Sequence, residues 1–257
     1  MTFAVEADAY DRFVGRYGAS LGRALAGKAG VEAGMRVLDV GAGTGKLTGI
    51  LAEIAGEGNV AAVEPSEPFV GALRRRFPAA DVRQASAEEL PFEDESFDAA
   101  LAQLVVNFMA DPERGVAEMR RVVRDDGIVA AAVWDYGERM TLLTTFWEAA
   151  AALDASAAAR DERSRMQFRQ RDELSRLWRA VGLRDVSGGE IVVSAAYESF
   201  DDLWEPFTKG VGPAGAHAAS LDGEAQAALR DEYGRRLGSP QGPFELEARA
   251  WYAVGKR

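Results

Sequence analysis

Apolar residues fall along this chain in two kinds of pattern. Arg36–Val40, Asn59–Val63, Phe97–Gln103 and Ile128–Trp134 are short runs that read as buried strands, and a further strand is placed near Asp81–Gln84. Between them the apolar positions recur at helical spacing. Thr44–Ala55 carries Leu47, Ile50, Leu51 and Ile54 on one face. Ser66–Phe77 follows, with Ser66 as N-cap and Pro68 in the first turn, and then Asp111–Arg124. Asp125-Asp126-Gly127 reads as the turn into the fifth strand. Strands separated by helices imply a parallel sheet with right-handed crossovers. Tyr10–Ala29 is helical in pattern and precedes the first strand, so it is an addition to the sheet.

Beyond Trp134 the pattern changes. Met140–Leu153 reads as an alanine-rich helix carrying Phe146 and Trp147, and Asp154–Arg171 as a polar loop with short helical turns. Asp172–Val181 reads as a helix with Asp172 as N-cap, ended by Gly182. Leu183–Ala195 holds a strand with a kink at Gly188-Gly189. A helix begins at Asp201-Asp202 within Phe200–Phe207, and Lys209–Ala216 (K-G-V-G-P-A-G-A) reads as a glycine and proline loop. Leu221–Leu237 is an amphipathic helix, and the alternating Phe244–Val254 is the last strand.

The segment Arg36–Thr48, R-V-L-D-V-G-A-G-T-G-K-L-T, joins a strand, a glycine turn and a helix start. Glycines accept positive φ and let a ligand lie against the backbone, while the first helical turn offers unpaired N–H groups. The spacing is G-x-G-x-G. Lys46 breaks the G-x-G-x-x-G of dinucleotide binders, and Leu47 breaks the G-K-S/T of phosphate loops. Glu64 ends the second strand about 20 residues past the turn, where a charged acceptor grips a ribose diol.

These motifs resemble those of class I S-adenosylmethionine-dependent methyltransferases, in the branch that includes ubiquinone/menaquinone-type and many small-molecule methyltransferases. V-L-D-V-G-A-G-T-G is similar to the family's first motif, Val63–Phe69 (V-E-P-S-E-P-F) to its second and Ala85–Ala100 to its third. Met119–Trp134 is similar to the helix and strand that follow, so the likeness runs over residues 10–135 motif by motif and more loosely beyond. The resemblance implies an α/β fold: a Rossmann-like seven-stranded mixed sheet flanked by helices, its last strand antiparallel beside the fifth. It implies an N-terminal helical lid over 1–30, a cofactor-binding core over 31–137, and a helical insertion or substrate cap with the last strands over 138–257.

The implied cofactor is S-adenosyl-L-methionine. Its methionine tail would lie on Gly41, Ala42, Gly43 and Gly45, with Asp39 facing the α-amino group or only anchoring the turn. Glu64 would take both ribose hydroxyls. Pro65, Ser66 and Leu90 would wall the adenine pocket, and Gln103 would border the methionine tail. The adenine motif departs from the family pattern. An acidic residue usually precedes its alanine, whereas Ala85-Ser86-Ala87-Glu88 offers the Ser86 hydroxyl to the adenine amino group and the Ala87 N–H to the ring, with Glu88 completing the set. Tyr10, Phe13 and Tyr17 would fold over the cofactor and face its sulfonium, or serve only in helix packing. Trp134, Phe146, Trp147, Trp204 and Phe207 each suit core packing, and at least two are expected to face an acceptor cavity. The single histidine, His217, is the candidate general base, in what reads as a loop; a solvent-facing loop histidine is the plainer reading.

Composition narrows the partners. There are 257 residues, no cysteine, and a net charge of −11 from 30 basic and 41 acidic residues. Disulfides and thiolate metal sites are excluded, a reducing cytoplasm is expected, and binding to nucleic acid or anionic membrane is opposed. Arg74-Arg75-Arg76 reads as a solvated helix face rather than a basic patch. No acidic ligand cluster for a metal stands out. The expected activity is methyl transfer to a small-molecule acceptor by in-line displacement, with the acceptor and the oligomeric state left open. The alternative is a cofactor-binding sensor or assembly subunit without catalysis. A nicotinamide oxidoreductase is disfavoured, since the third glycine of the dinucleotide fingerprint is missing from its spacing.

Overall fold

The computed structural model describes residues 12–257. Helix α1 (Gly18–Lys28) precedes β1 (Val37–Val40). Then come α2 (Lys46–Ala55), β2 (Val60–Glu64), α3 (Glu67–Arg76), β3 (Asp81–Gln84), β4 (Phe97–Gln103), α4 (Pro112–Val122) and β5 (Val123–Trp134). After these follow α5 (Thr141–Leu153), α6 (Glu173–Ala180), β6 (Arg184–Tyr197), α7 (Phe200–Thr208), α8 (Gly212–Ala219), α9 (Gly223–Arg236) and β7 (Phe244–Lys256). The strands form one seven-stranded sheet in the order β3-β2-β1-β4-β5-β7-β6. β1 to β5 pair in parallel, and β7 runs antiparallel to β5 from Ile128↔Lys256 to Trp134↔Ala250. This is the mixed sheet that the sequence implies.

The described residues divide into two compact units. A sheet unit comprises 18–134, 167–191 and 250–257, and a helical unit comprises 12–17, 135–166 and 192–249. Within the sheet unit the two-residue period of the strands sorts side chains by face. Leu38, Val40, Ala61, Val63, Val129 and Ala131 pack with Val116 and Met119 of α4 and Trp178 of α6. Ala62 points the other way, onto Val70, Leu73 and Phe77 from the α3 side. Trp178 is fully buried, and its indole N–H donates to the Val129 carbonyl at 2.9 Å. In the helical unit, Phe146 stacks on Phe207 at 4.5 Å, with Trp204 and Tyr233 against the same rings.

Three local expectations need correction. Lys209–Ala216 is not a loop throughout, because helix α8 begins at Gly212. Its proline sits in the first turn, where the missing N–H costs nothing. Gly215 is there because a Cβ would stand 2.8 Å from the Gly210 backbone. Asp125-Asp126-Gly127 is not a turn outside the fifth strand but a bulge within it: the five steps from Val123 to Ile128 oppose the two from Phe97 to Ala99. Asp126 has φ 59°, and a side chain at Gly127 would meet the Arg124 and Asp98 carbonyls at 2.7 and 3.0 Å. The bulge also ends the preceding helix at Val122, two residues before the expected Arg124.

The helix caps differ from one another. Asp111 accepts the Arg114 backbone N–H at 3.0 Å, whereas Ser66 and Asp172 hold cap positions without a side-chain cap bond. Asp111→Ala is therefore expected to cost about 1 kcal/mol and Ser66→Ala close to nothing in thermal unfolding. Equal losses would show that the cap bond of α4 contributes no stability.

Candidate cofactor site

The site grows from the tip of β1. Gly41 and Ala42 both donate their N–H to the Val63 carbonyl, at 2.8 and 3.0 Å, which stitches the turn to β2. Gly45 closes it with an N–H to the Ala42 carbonyl at 2.8 Å and caps α2 in the left-handed region, φ 83°. Arg76 braces the loop from α3, its Nη1 donating to the Thr44 carbonyl at 3.1 Å.

The three glycines are required for different reasons. A Cβ at Gly41 would lie 2.5 Å from Val105, and one at Gly45 would lie 2.7 Å from Leu73 and 2.8 Å from Phe77. Both positions are filled by the protein's own packing. Gly43 also has positive φ, 52°, yet among the described residues no atom beyond its chain neighbours lies within 4 Å of its notional Cβ. Of the three, only Gly43 therefore leaves bare peptide with room beside it among the described residues.

Two carboxylates flank this opening. Asp39 is 1% exposed and its Oδ2 accepts the Thr48 hydroxyl at 2.6 Å. Among the described residues no cation pairs with it. Burial, helped by the nearby Glu64 charge and opposed by the Thr48 bond, pushes its carboxyl up to about 7. Glu64, 7% exposed at the end of β2, accepts the Gly43 N–H at 2.9 Å through Oε2 and the Ser66 N–H at 3.0 Å through Oε1. It thus links the first two motifs. Each oxygen keeps one further lone-pair direction for a ligand hydroxyl.

The structure brings other expected residues to the same edge. The Ala85 N–H donates to the Glu64 carbonyl at 3.3 Å, which carries Ser86 and Ala87 past that strand end; Ser86 is exposed and Ala87 buried. Pro65 is exposed, and its carbonyl accepts Gln84 Nε2 at 3.0 Å.

Several expected roles change. Glu88 is turned to the loop before α4, where Oε1 accepts the Ala110 and Asp111 N–H groups at 2.8 and 3.4 Å. Gln103 ties β4 to α1, its Nε2 donating to the Gly18 carbonyl at 2.9 Å. Its Oε1 is packed toward Gly22 with no partner among the described residues. Tyr10 lies outside the described residues. Tyr17 is fully buried in the helical unit, with its hydroxyl 3.4 Å from that of Tyr197, so its ring serves packing there. His217 is neither in a loop nor facing solvent. It is 6% exposed within α8, and its Nδ1 lies 3.1 Å from Arg160 Nη1. Burial and that guanidinium hold its basicity below the usual value, which counts against the base role. The five candidate cavity aromatics are all buried, and Phe146, Trp147, Trp204 and Phe207 pack in one cluster of the helical unit. Thr48, Val105 and Arg76 support the loop without a spacing signal that would single them out.

Residues 38–131 match the methyltransferase domain family, and they span β1 to β5 with both carboxylates and all three glycines. Over these residues the chain carries a methyltransferase domain. An uncharacterized methyltransferase of Mycobacterium tuberculosis is 40% identical over 103 residues, 40% of this chain and 41% of that relative. The match thus spans about two-fifths of that relative's length. The demethylmenaquinone methyltransferase of Clavibacter sepedonicus is 29% identical over 201 residues, 73% of this chain and 77% of that one. A phosphoethanolamine N-methyltransferase of Haemonchus contortus, solved with S-adenosylhomocysteine, has the same fold, with a TM-score of 0.57 at 16% identity over 92% of this chain and 52% of its own. The loop fits S-adenosyl-L-methionine. Among the described residues, Gly43 offers open peptide, Asp39 is a buried carboxylate without a paired cation, and Glu64 is fixed with acceptor capacity to spare.

Proposed function

We propose that the protein transfers a methyl group from S-adenosyl-L-methionine to a small-molecule acceptor. The observation that supports this reading most is that, among the described residues, Gly43 is the one motif glycine with open space at its Cβ position and the buried Asp39 carboxylate has no paired cation. Asp39 would hold the α-amino group, Glu64 the ribose diol, and the Ser86 hydroxyl and Ala87 N–H the adenine edge. The bound cofactor supplies an electrophilic methyl group on a sulfonium. The chain's part is then alignment, and holding a reactant in line can supply up to about 7–11 kcal/mol of a barrier. A net charge of −11 supports a small acceptor over a polyanion. The name of the Clavibacter relative, a demethylmenaquinone methyltransferase, supports the same class by analogy.

Calorimetry with S-adenosylhomocysteine, followed by transfer of labelled methyl to quinols, phenols, amines and carboxylates, tests the proposal. Binding with no transfer to any of them would favour a sensor. Preference for a phosphate-bearing nucleotide would remove the reading altogether.

A pH dependence follows from Asp39. Its carboxyl ionises near 7, and an ammonium ligand favours the ionised form, so cofactor affinity should rise about tenfold per pH unit below 7. It should then level off, falling again above about pH 8 as the ligand amine loses its proton. Asp39→Asn is expected to abolish the acid limb, and an unchanged profile in that variant would assign the proton elsewhere.

A further inference from the structure

β1 and β4 are neighbours, with β2 and β3 to one side of them and β5 to the other. The direction in which the parallel sheet grows reverses between these two strands, and ligands of such sheets bind beyond the carboxyl ends at that point. Gly41 follows the last residue of β1 there, and Leu104 follows the last residue of β4. Both loops belong to the sheet unit.

Leu104 has φ 62°. A bulky side chain is rare in that region, and a residue held there marks surroundings that impose it. Leucine has no polar atom to reward the conformation locally, as asparagine or aspartate has. The chain is pinned on both sides instead. The Leu104 N–H donates to the Ala132 carbonyl of β5 at 2.8 Å, and the Phe108 N–H donates to the Val105 carbonyl at 2.8 Å, closing the short helical turn that follows.

The residue delivered by this bend is Val105. Its Cγ2 and Cγ1 lie 2.5 and 2.6 Å from the point where a Cβ of Gly41 would stand, so its methyl groups occupy the place of the missing side chain. Gly41 has φ 73° and, as glycine, the widest backbone freedom. Its N–H and that of Ala42 bind the Val63 carbonyl on the β2 side, and Val105 closes the β4 side. The half-buried valine thus removes freedom from the segment that leads to the open Gly43 peptide.

We propose that Val105 is a positioning residue for the cofactor: seated against Gly41, it holds the glycine turn in its receiving shape, and the left-handed backbone of Leu104 sets it there. The inference rests on the proposed cofactor reading for its ligand, while the wedge itself is measurable in the free protein.

The test measures amide exchange in the unliganded full chain and calorimetric affinity for S-adenosylhomocysteine. In Val105→Ala the Gly41 and Ala42 amides are expected to exchange at least about fivefold faster with the Ala131 amide of β5 unchanged, and affinity to fall at least about fivefold. Val105→Thr keeps both branches at Cβ and should bring both values back to within about twofold of the wild type. Leu104→Asn, which accepts positive φ, should bind within about twofold of the wild type, whereas Leu104→Ile, with the same atoms but a branched Cβ, should lose at least about fivefold. Unchanged exchange or unchanged affinity in Val105→Ala, no recovery in Val105→Thr, or equal affinities in Leu104→Asn and Leu104→Ile would each overturn the proposal. So would an equal rise in exchange at Ala131, which marks a general loss of stability. The Val105 pair decides if Leu104→Ile fails to fold. A wild-type chain that binds no S-adenosylhomocysteine defeats the proposed function and this inference with it; a wild type that binds, beside a Val105→Ala that binds equally, defeats this inference alone.

Discussion

Gly45→Ala and Gly43→Ala are expected to fail in different assays. At Gly45 a methyl group would stand 2.7 Å from Leu73 and 2.8 Å from Phe77 at φ 83°. Left-handed strain of about 1–2 kcal/mol and overpacking of about 1–3 kcal/mol make that variant less stable by about 2–5 kcal/mol. For a chain of this size the loss should lower the melting temperature by roughly 4–20 °C. At Gly43 the methyl meets no atom of the described residues within 4 Å beyond its chain neighbours, so the strain alone applies, about 1 kcal/mol. Its cost appears in binding, where affinity for S-adenosylhomocysteine should fall at least about tenfold. Thermal melts and calorimetry on both variants read the contrast. Wild-type affinity in Gly43→Ala would show that no ligand lies against that peptide.

Glu64→Ala should damage the site most. Its carboxylate satisfies the Gly43 and Ser66 N–H groups at 2.9 and 3.0 Å in a nearly buried position. Charge-assisted bonds of this kind are worth about 1.5–3 kcal/mol each, and removing the acceptor leaves both donors unpaired. Folding stability should drop by about 2–4 kcal/mol, and cofactor affinity by at least about a hundredfold. Glu64→Gln, which keeps one carbonyl oxygen, should fall between the wild type and the alanine variant. If Glu64→Ala is destabilised but binds S-adenosylhomocysteine normally, the residue is a structural link between motifs and nothing more.

The parts of the fold that a linear pattern can carry were legible in the sequence. The strand over Phe97–Gln103 stands where it is expected because burial decides a run of this kind, and the edge strand over Asp81–Gln84, where only Val82 is buried, is held by its pairing with β2. The glycine turn was legible as a cradle, but the division of labour within it was not. Gly41 and Gly45 answer to Val105, Leu73 and Phe77, which are distant in sequence. The α8 helix was hidden for a similar reason. Its glycine at position 215 is demanded by a close approach of Gly210, and a tertiary contact of that sort looks like a loop signal when read along the chain. Gln103, at a strand tip, and Glu88, in the loop after β3, each turn toward a neighbouring backbone, a contact that spacing along the chain does not signal. Here Gly18 and Ala110 took them. His217 carried no partner in its local sequence, and Arg160, 57 residues away, is what defines its state.

The position of β7 has a consequence for biosynthesis. It is translated after every other strand, yet its slot lies between β5 and β6 rather than at a margin. A growing polypeptide can assemble the five parallel strands early, but β6 must wait, its peptide groups unmatched on that side, until Lys256 has left the ribosome. The nascent protein thus carries an open seam for as long as β7 takes to emerge. During that interval chaperones and aggregation compete for the same exposed strand.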